Sequence, residues 1–452
     1  MMKKYSCLFG LLGLLSVWSC EKTNPDFQSD IEKADYYHRS MQQLTDVIVH
    51  DIFSPPVASR IYVYANIAGY EALQPGYPEY QSLAGQLNGL EPVPAPEAGK
   101  AYCYPLASLE AFLAVGRTFT FSEDKMDAYK AEFYAELEGI NMPNDVWDRS
   151  VAYGQAVANH ILAWANQDNY KQTRTFPKYT VTDDPAKWQP TPPDYMDGIE
   201  PHWREIRPLA LDSAQQFKPL PPTAFDLDKN SQFMKEVMEV YTALKVEDET
   251  EKTERNAIAS FWDCNPYVSH HTGHVMFATK KITPGGHWMG ITKIACENTK
   301  ASFIQSVEAY TLTAISLFDG FISCWDEKYR SNLIRPVTVI NAHIDEDWAP
   351  LLQTPPFPEY TSGHSVISRA AATALTSIFG DPFEFLDTTE EYYGLPARNF
   401  HSFYQASDEA ALSRLYGGIH YRPAIDEGVK QGEKVGKNVV ERVQMKSQLS
   451  NN

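Results

Sequence analysis

The chain has 452 residues and a mass of 51.1 kDa, with 43% hydrophobic and 21% charged side chains, so it can bury a large core and is neither a disordered tail nor a small disulfide scaffold. Thirty-nine basic residues face 58 acidic ones, and the net charge of -19 argues against wrapping nucleic acid or adhering broadly to an anionic membrane surface. Any anion site must be assembled locally.

Lys3 and Lys4 precede an apolar stretch from Cys7 to Val17 that ends at Ser19-Cys20. This reads as an export signal over residues 1–19, too short to span a bilayer. A small residue directly before Cys20, with Val17 at the third position before it, resembles a bacterial lipobox. That resemblance implies a lipid on Cys20, a polar tether over residues 20–34, and an exported outer-membrane lipoprotein facing the periplasm or the cell surface, held to membrane by that lipid alone. Cys103, Cys264, Cys296 and Cys324 remain, in a compartment that permits disulfides; their pairing is not legible, and without paired close spacing they do not spell a zinc site.

Apolar residues recur at helical spacing from about Tyr36 to Phe53 and from Val57 to Leu73, separated by Ser54-Pro55-Pro56 and stopped by Gln74-Pro75-Gly76. Further helices are expected from Tyr104 to Phe121, Glu123 to Gly139 and Asp145 to Asn166, with Ser122 and Asn144 as N-caps. From Tyr170 to Asp228 the pattern breaks: ten prolines lie between Pro177 and Pro222, interleaved with Trp188, Trp203, Phe217 and Phe225. Aromatics of that kind suit an ordered wrap better than a flexible linker. Helical periodicity resumes at Ser231 and continues to Met445, while strand-like alternation is almost absent. The expectation is an all-α protein of two packed bundles, 35–228 with the wrap and 229–445 carrying the site.

Three polar segments stand out in the last third: Lys328 with Arg335-Pro336, Thr361-Ser362-Gly363-His364, and Ser413-Arg414 with His420. Alone, each has a plain reading. A lysine and an arginine seven apart share a helical face and are usually solvated, and Pro336 reads as the end of that helix. Ser-Gly-His before an apolar, alanine-rich run reads as a helix start, where free N–H groups and the dipole attract an anion. Gly417 and Gly418 let Arg414 and His420 converge on one ligand, for which an arginine offers a planar fork. Three cations in an acidic chain are hard to explain as surface decoration if they share a pocket.

In this order and spacing the blocks resemble the signature of the type 2 phosphatidic acid phosphatase and vanadium-dependent haloperoxidase superfamily, Phe357-Pro358-Glu359-Tyr360 resembles the bacterial haloperoxidase form of the second block, and the aromatic residues at Trp325 and Phe357 resemble the bacterial iodoperoxidase branch. Trp325 and Phe357 stand where that branch carries aromatic halide-pocket residues, and Tyr267 resembles a third. The resemblance implies a haloperoxidase/acid phosphatase-like helical fold and vanadate bound to His420, the vanadium ligand, and held by Lys328, Arg335, Ser362, the Gly363 N–H and Arg414. It further implies that His364 helps deprotonate hydrogen peroxide, that Lys328 polarises it, and that a halide, iodide first and bromide second, is oxidised to hypohalous acid that meets small organic acceptors. The alternative within the superfamily is an exported soluble acid phosphatase in which His420 attacks a phosphate monoester to give a phosphohistidine and His364 protonates the leaving group. An integral-membrane lipid phosphatase is excluded, because no apolar stretch of spanning length follows the signal.

Two positions depart from the superfamily pattern. Thr361 replaces a proline, and Ala424 stands where an aspartate usually bonds the ligand histidine, with Asp426 two residues on. Asp426, a backbone carbonyl or a differently tuned site must therefore serve the second nitrogen of His420. Other candidates carry less. His270 and His274 lack the glutamate of a zinc-protease pair, and Gly285-Gly286-His287 has no strand before it to make a nucleotide loop. A non-enzymatic glycan-binding lipoprotein would have no use for the three blocks.

Overall fold

The computed structural model of the chain describes residues 23–272, 275–278 and 280–447; the export signal read at residues 1–19 and the lipobox cysteine lie outside them. The elements run α1 (Phe27–Ile31), α2 (Ala34–His50), α3 (Pro55–Leu73), α4 (Tyr104–Phe119), α5 (Glu123–Glu138), α6 (Asn144–Ala165), α7 (Tyr170–Thr173), α8 (Gln232–Ala243), α9 (Glu249–Phe261), β1 (Ser269–Thr272) and β2 (Val275–Ala278). They continue with α10 (Pro284–Thr299), α11 (Phe303–Ser331), α12 (Pro336–His343), α13 (Gly363–Phe379), β3 (Phe385–Asp387), β4 (Arg398–Phe400), α14 (Phe403–Tyr416) and α15 (Arg422–Arg442). The expected all-helical class is borne out. Strands among the described residues are confined to two antiparallel hairpins, β1–β2 pairing Ser269 with Ala278 and β3–β4 pairing Phe385 with Phe400. No helix among the described residues is long and apolar enough to cross a membrane.

Local chemistry explains the helix ends. Pro55 and Pro56 open α3, where a missing N–H costs nothing, and Ser54 Oγ accepts from Val57 N at 3.4 Å. One expected cap is corrected, since Asn144 is the first residue of α6 with Pro143 before it, whereas Ser122 stands at the N-cap position of α5 with its hydroxyl donating to Asp51 Oδ1 at 2.5 Å. The polar tether is also corrected from Asn24 onward. Asn24 N donates to Asn141 O at 2.9 Å and Ile31 is fully buried, so one apolar residue anchors a stretch whose composition is otherwise polar.

The proline-rich segment wraps the body, with Trp188 and Trp203 fully buried. Its hold on the core is a carboxylate: Asp319, in the middle of α11, accepts from the amides of Leu209, Ala210 and Leu211 at 2.7, 2.7 and 2.9 Å. Burial pushes that carboxyl up to about 6, and the three amides hold it back from rising further.

One apolar core runs from Ile31 to Met445 and continues across the boundary expected near residue 228, because α11 packs against α3 on one side and α13 on the other. A second core joins α8 and α12 to the start of α15 through Phe233, Val237, Ile340 and Tyr421. The packing that matters most for the site is α13 on α15. Gly428, Gly432 and Gly436 face α13, and a Cβ on Gly432 would stand 2.1 Å from the Val366 carbonyl oxygen. Backbone therefore meets backbone, and Ser362 N reaches Ala424 O at 3.0 Å. The start of α13 is thereby fixed beside His420 and the start of α15.

Candidate active site

Each of the three polar segments is placed by a helix end. Helix α11 stops at Asn332, whose φ of 52° is left-handed, and α12 starts at Pro336 with Arg335 as its cap residue. This corrects the sequence reading: Lys328 and Arg335 do not share one helical face, and Pro336 begins a helix instead of ending one. The turn between them swings Arg335 back toward Lys328. Helix α13 starts as expected, with Ser362 Oγ accepting from Ser365 N at 3.3 Å and Gly363 and His364 in the first turn. Arg414 lies in the last turn of α14, and His420 follows the Gly417-Gly418 turn, where Gly418 has φ +75°.

Four of these residues, Gly363, His364, Arg414 and His420, meet at a cavity of about 40 Å³, while Lys328, Arg335 and Ser362 stand behind its wall. Gly363, His364, Arg414 and His420 line it together with Trp325, Phe357 and Tyr267. Trp325 and Phe357 lie 5.0 Å apart between ring centroids at 52°. Burial raises the Tyr267 phenol, which therefore stays protonated at neutral pH.

Arg335 is fully buried, and its Nε donates to Phe357 O at 2.9 Å and its Nη1 to Ile419 O at 2.8 Å. The same Nη1 lies 3.2 Å from His420 Nε2. Desolvation lowers the guanidinium to about 10, still charged at neutral pH. Its Nη2 has no hydrogen-bond partner among the described residues, and neither does His364 Nε2. Arg414 donates from Nη2 to Trp262 O at 2.7 Å and from Nε to Ser413 Oγ at 2.9 Å.

His420 Nδ1 lies 2.8 Å from Glu359 Oε1, which also accepts from Tyr421 N at 2.9 Å. With an arginine donating at Nε2 and a carboxylate accepting at Nδ1, the ring is the neutral tautomer with its proton on Nδ1 and a lone pair on Nε2. Burial, then Arg335 and Lys328, hold its pKa well below 6.5. Asp426 is exposed on α15 and takes no part, so the expectation that it backs His420 is corrected: Glu359 does so. Glu359 lay within the segment noted for its aromatics, and the available signal was an acid embedded among Phe357, Pro358 and Tyr360. Burial pushes its carboxyl up to about 7.

Lys328 is fully buried, and its ammonium donates to the carbonyls of Pro358, Glu359 and Thr361 at 3.0, 3.1 and 2.6 Å. Three donors thus meet three carbonyls, with Nζ 4.9 Å from the Phe357 ring centroid. Desolvation lowers this lysine to about 7. Burial and Arg414 hold His364 well below 6.5, so it is an uncharged base at neutral pH.

Residues 341–448 match the family model for the VCPO second helical-bundle domain. Over 92% of this chain and 98% of the other, the structure is similar to the crystal structure of a bacterial vanadium-dependent iodoperoxidase, with a TM-score of 0.87 and 54% sequence identity. The chain belongs to the vanadium-dependent haloperoxidase family. Holo and apo forms of a bacterial vanadium-dependent chloroperoxidase share the haloperoxidase fold at TM-scores of 0.66 and 0.65, with 17% and 16% identity, over 87% and 86% of this chain and 93% and 94% of theirs. No curated protein is significantly similar to the chain.

The family cofactor, vanadate, fits the residues of this haloperoxidase. Among the described residues Arg335 Nη2 and His364 Nε2 are buried without partners, and the His420 Nε2 lone pair accepts from Arg335 Nη1 at 3.2 Å, a contact that vanadium would replace. A Cβ on Gly363 would meet only Trp325 Cζ3 at 3.7 Å, so bare backbone borders the cavity. A tetrahedral oxyanion satisfies all four features at once.

Proposed function

We propose that this haloperoxidase oxidises iodide, with bromide the second candidate, using hydrogen peroxide, and that the hypohalous acid formed reacts with small organic acceptors. The observation that carries this reading is the Trp325–Phe357 pair bordering the same cavity as His364, Arg414 and His420. An aromatic wall offers an anion little to replace its hydration, so it favours the large, weakly hydrated halide. The 54% identity to the bacterial iodoperoxidase supports the same choice.

His420 Nε2 would take the vanadium, and Arg335, Ser362, the Gly363 N–H, Arg414 and Lys328 would hold its oxygens. When bound, vanadate supplies a Lewis-acid centre of constant oxidation state that activates peroxide. Glu359 fixes His420 in the tautomer with its lone pair on Nε2, Arg335 Nη1 would give up its contact with that nitrogen, and Arg335 and Arg414 would balance the anion's charge. His364, kept neutral by burial and by Arg414, accepts a proton from hydrogen peroxide at its unpartnered Nε2. Lys328 must exchange one of its three carbonyl partners for the ligand before it can polarise the peroxide. In the overall reaction hydrogen peroxide, a halide ion and one proton give hypohalous acid and water, the halide losing the two electrons that the peroxide oxygens gain.

One preparation tests the reading against the phosphatase alternative. Protein exchanged free of vanadate and phosphate is assayed for triiodide formation from iodide and peroxide, with and without vanadate, and for phosphate-ester hydrolysis. Vanadate-dependent triiodide formation suppressed by phosphate is expected; ester hydrolysis inhibited by vanadate without iodide oxidation would overturn it. The proposal also places the enzyme outside the cytoplasm on a Cys20 lipid. A mature N-terminal peptide that starts at Cys20 and carries acyl mass supports this, and an unlipidated peptide starting elsewhere refutes it.

A further inference from the structure

Next to the anion pocket lies a second cluster that the halide chemistry does not use. Cys264, just beyond α9, also lines the anion cavity; His287 sits in the first turn of α10; Glu390 follows β3. All three are buried, with His287 fully enclosed. Nothing in their spacing of 23 and 103 residues marks them as a set. The four cysteines were set aside as zinc ligands for want of paired spacing, and the fold changes that reading by recruiting one of them together with a histidine and a glutamate. The Gly285-Gly286-His287 turn likewise finds its use. Thr283 caps α10, with Oγ1 accepting from Gly286 N at 3.1 Å, and this presents His287 to the other two.

Cys264 Sγ lies 3.4 Å from His287 Nδ1 and 3.6 Å from Glu390 Oε1, and His287 Nδ1 lies 3.1 Å from Glu390 Oε1. Bonds of about 2.3 Å to sulfur and about 2.0–2.2 Å to nitrogen and oxygen, at tetrahedral angles, separate such ligand atoms by about 3.3–3.6 Å. The observed triangle has nearly those edges. On the far side of the imidazole, Nε2 is 2.8 Å from Asp387 Oδ2, whose other oxygen accepts from Thr389 N at 3.0 Å. A carboxylate behind a histidine is the arrangement that fixes a metal-binding ring nitrogen. Without a metal, hydrogen bonds close the same triangle, with Glu390 Oε1 accepting from Cys264 Sγ and from His287 Nδ1, so a bound cation would take the place of those protons.

We propose that Cys264, His287 and Glu390 bind one zinc ion, with Asp387 orienting His287, and that the ion braces the wall of the anion pocket. Zinc suits a mixed sulfur, nitrogen and oxygen set, and binding replaces the thiol proton and any proton on Nδ1 with the cation. The brace acts through Trp262. Its ring stacks on His287 at 4.5 Å and 17°, its carbonyl receives Arg414 Nη2, and Asn265-Pro266-Tyr267 continues along the pocket directly after Cys264.

The inference is independent of the halide assignment. The full-length protein, purified without nickel resin or chelator, is analysed for zinc and vanadium together, so that loss of one is not mistaken for loss of the other. About one zinc per chain is expected in the wild type and in Cys103→Ala, and at least tenfold less in Cys264→Ala. Should Cys264→Ala fail to fold, the wild type exchanged with cobalt provides the second reading: a thiolate-to-cobalt absorption band in the near ultraviolet and intense visible bands of a tetrahedral site. Wild-type protein that holds no zinc and gives no such bands with cobalt overturns the proposal. So does zinc content undiminished in a folded Cys264→Ala.

Discussion

Glu359 Oε1 stands 2.8 Å from His420 Nδ1 and takes the place of an aspartate that the sequence lacks at position 424. The carboxylate comes from the extended segment before α13, not from the helix that follows the histidine. Replacing it by Glu359→Gln keeps the shape and an accepting oxygen but removes the charge that makes Nε2 a strong donor to a metal. Loss of such a partner typically costs about 10–100-fold in metal affinity. The vanadate dissociation constant, read by titrating triiodide formation, should rise by that amount, and an unchanged constant would refute the role.

The two pocket histidines should separate cleanly. His420→Ala removes the lone pair at the centre of the site and should abolish retention of vanadate through gel filtration. His364→Ala removes only the base, so vanadate should be partly retained while peroxide turnover falls about 10²–10⁴-fold, the usual contribution of a positioned acid or base. Equal and negligible effects would sink the assignment of both.

Lys328 predicts a pH dependence. Burial lowers its ammonium from 10.5 to about 7, and a bound anion restores the charge. Vanadate binding should therefore take up a proton above pH 7, with affinity falling as pH rises beyond that value. Calorimetry in buffers of different ionisation heat reads the uptake, and Lys328→Gln should lose it; uptake identical in the variant would count against the lysine. Without the anion, the unfolded chain holds a proton between about pH 7 and 10.5 that the folded chain lacks, so this group alone makes stability rise with pH across that window.

Gly432→Ala tests the close approach of α15 to α13. Its Cβ would press on the Val366 carbonyl, which is backbone and cannot rotate away. A loss of about 1–3 kcal/mol or more is expected, seen as a lower thermal midpoint, together with weaker vanadate binding because the start of α13 moves. Gly285→Ala is the matched control, since nothing there approaches a Cβ closer than 3.9 Å.

Much of the fold was legible because it rests on local patterns. The periodic apolar residues of α2, α3, α4 and α6 predicted helices within a few residues of their ends, and Trp188 and Trp203 marked the wrap as packed. At the site, Trp325, Phe357, His364, Arg414 and His420 were all named from spacing and resemblance, and they border one cavity. What stayed hidden depends on the path of the chain between elements. The left-handed Asn332 separates Lys328 from Arg335, and no helical wheel represents such a break. Glu359 reaches His420 across 61 residues, and Cys264, His287 and Glu390 gather from three segments. Proximity of that kind is a property of tertiary structure alone.

Phe357 and Glu359 belong to one short strap that Lys328 pins through three carbonyls and Arg335 through a fourth. The ring proposed to face the halide and the carboxylate behind the histidine proposed to bind vanadium are thus mechanically one part. A lineage changing its preferred halide by reshaping position 357 would also disturb the cofactor's grip. A substitution at position 357 that alters halide preference would therefore shift vanadate retention with it, since both depend on the same four carbonyl contacts.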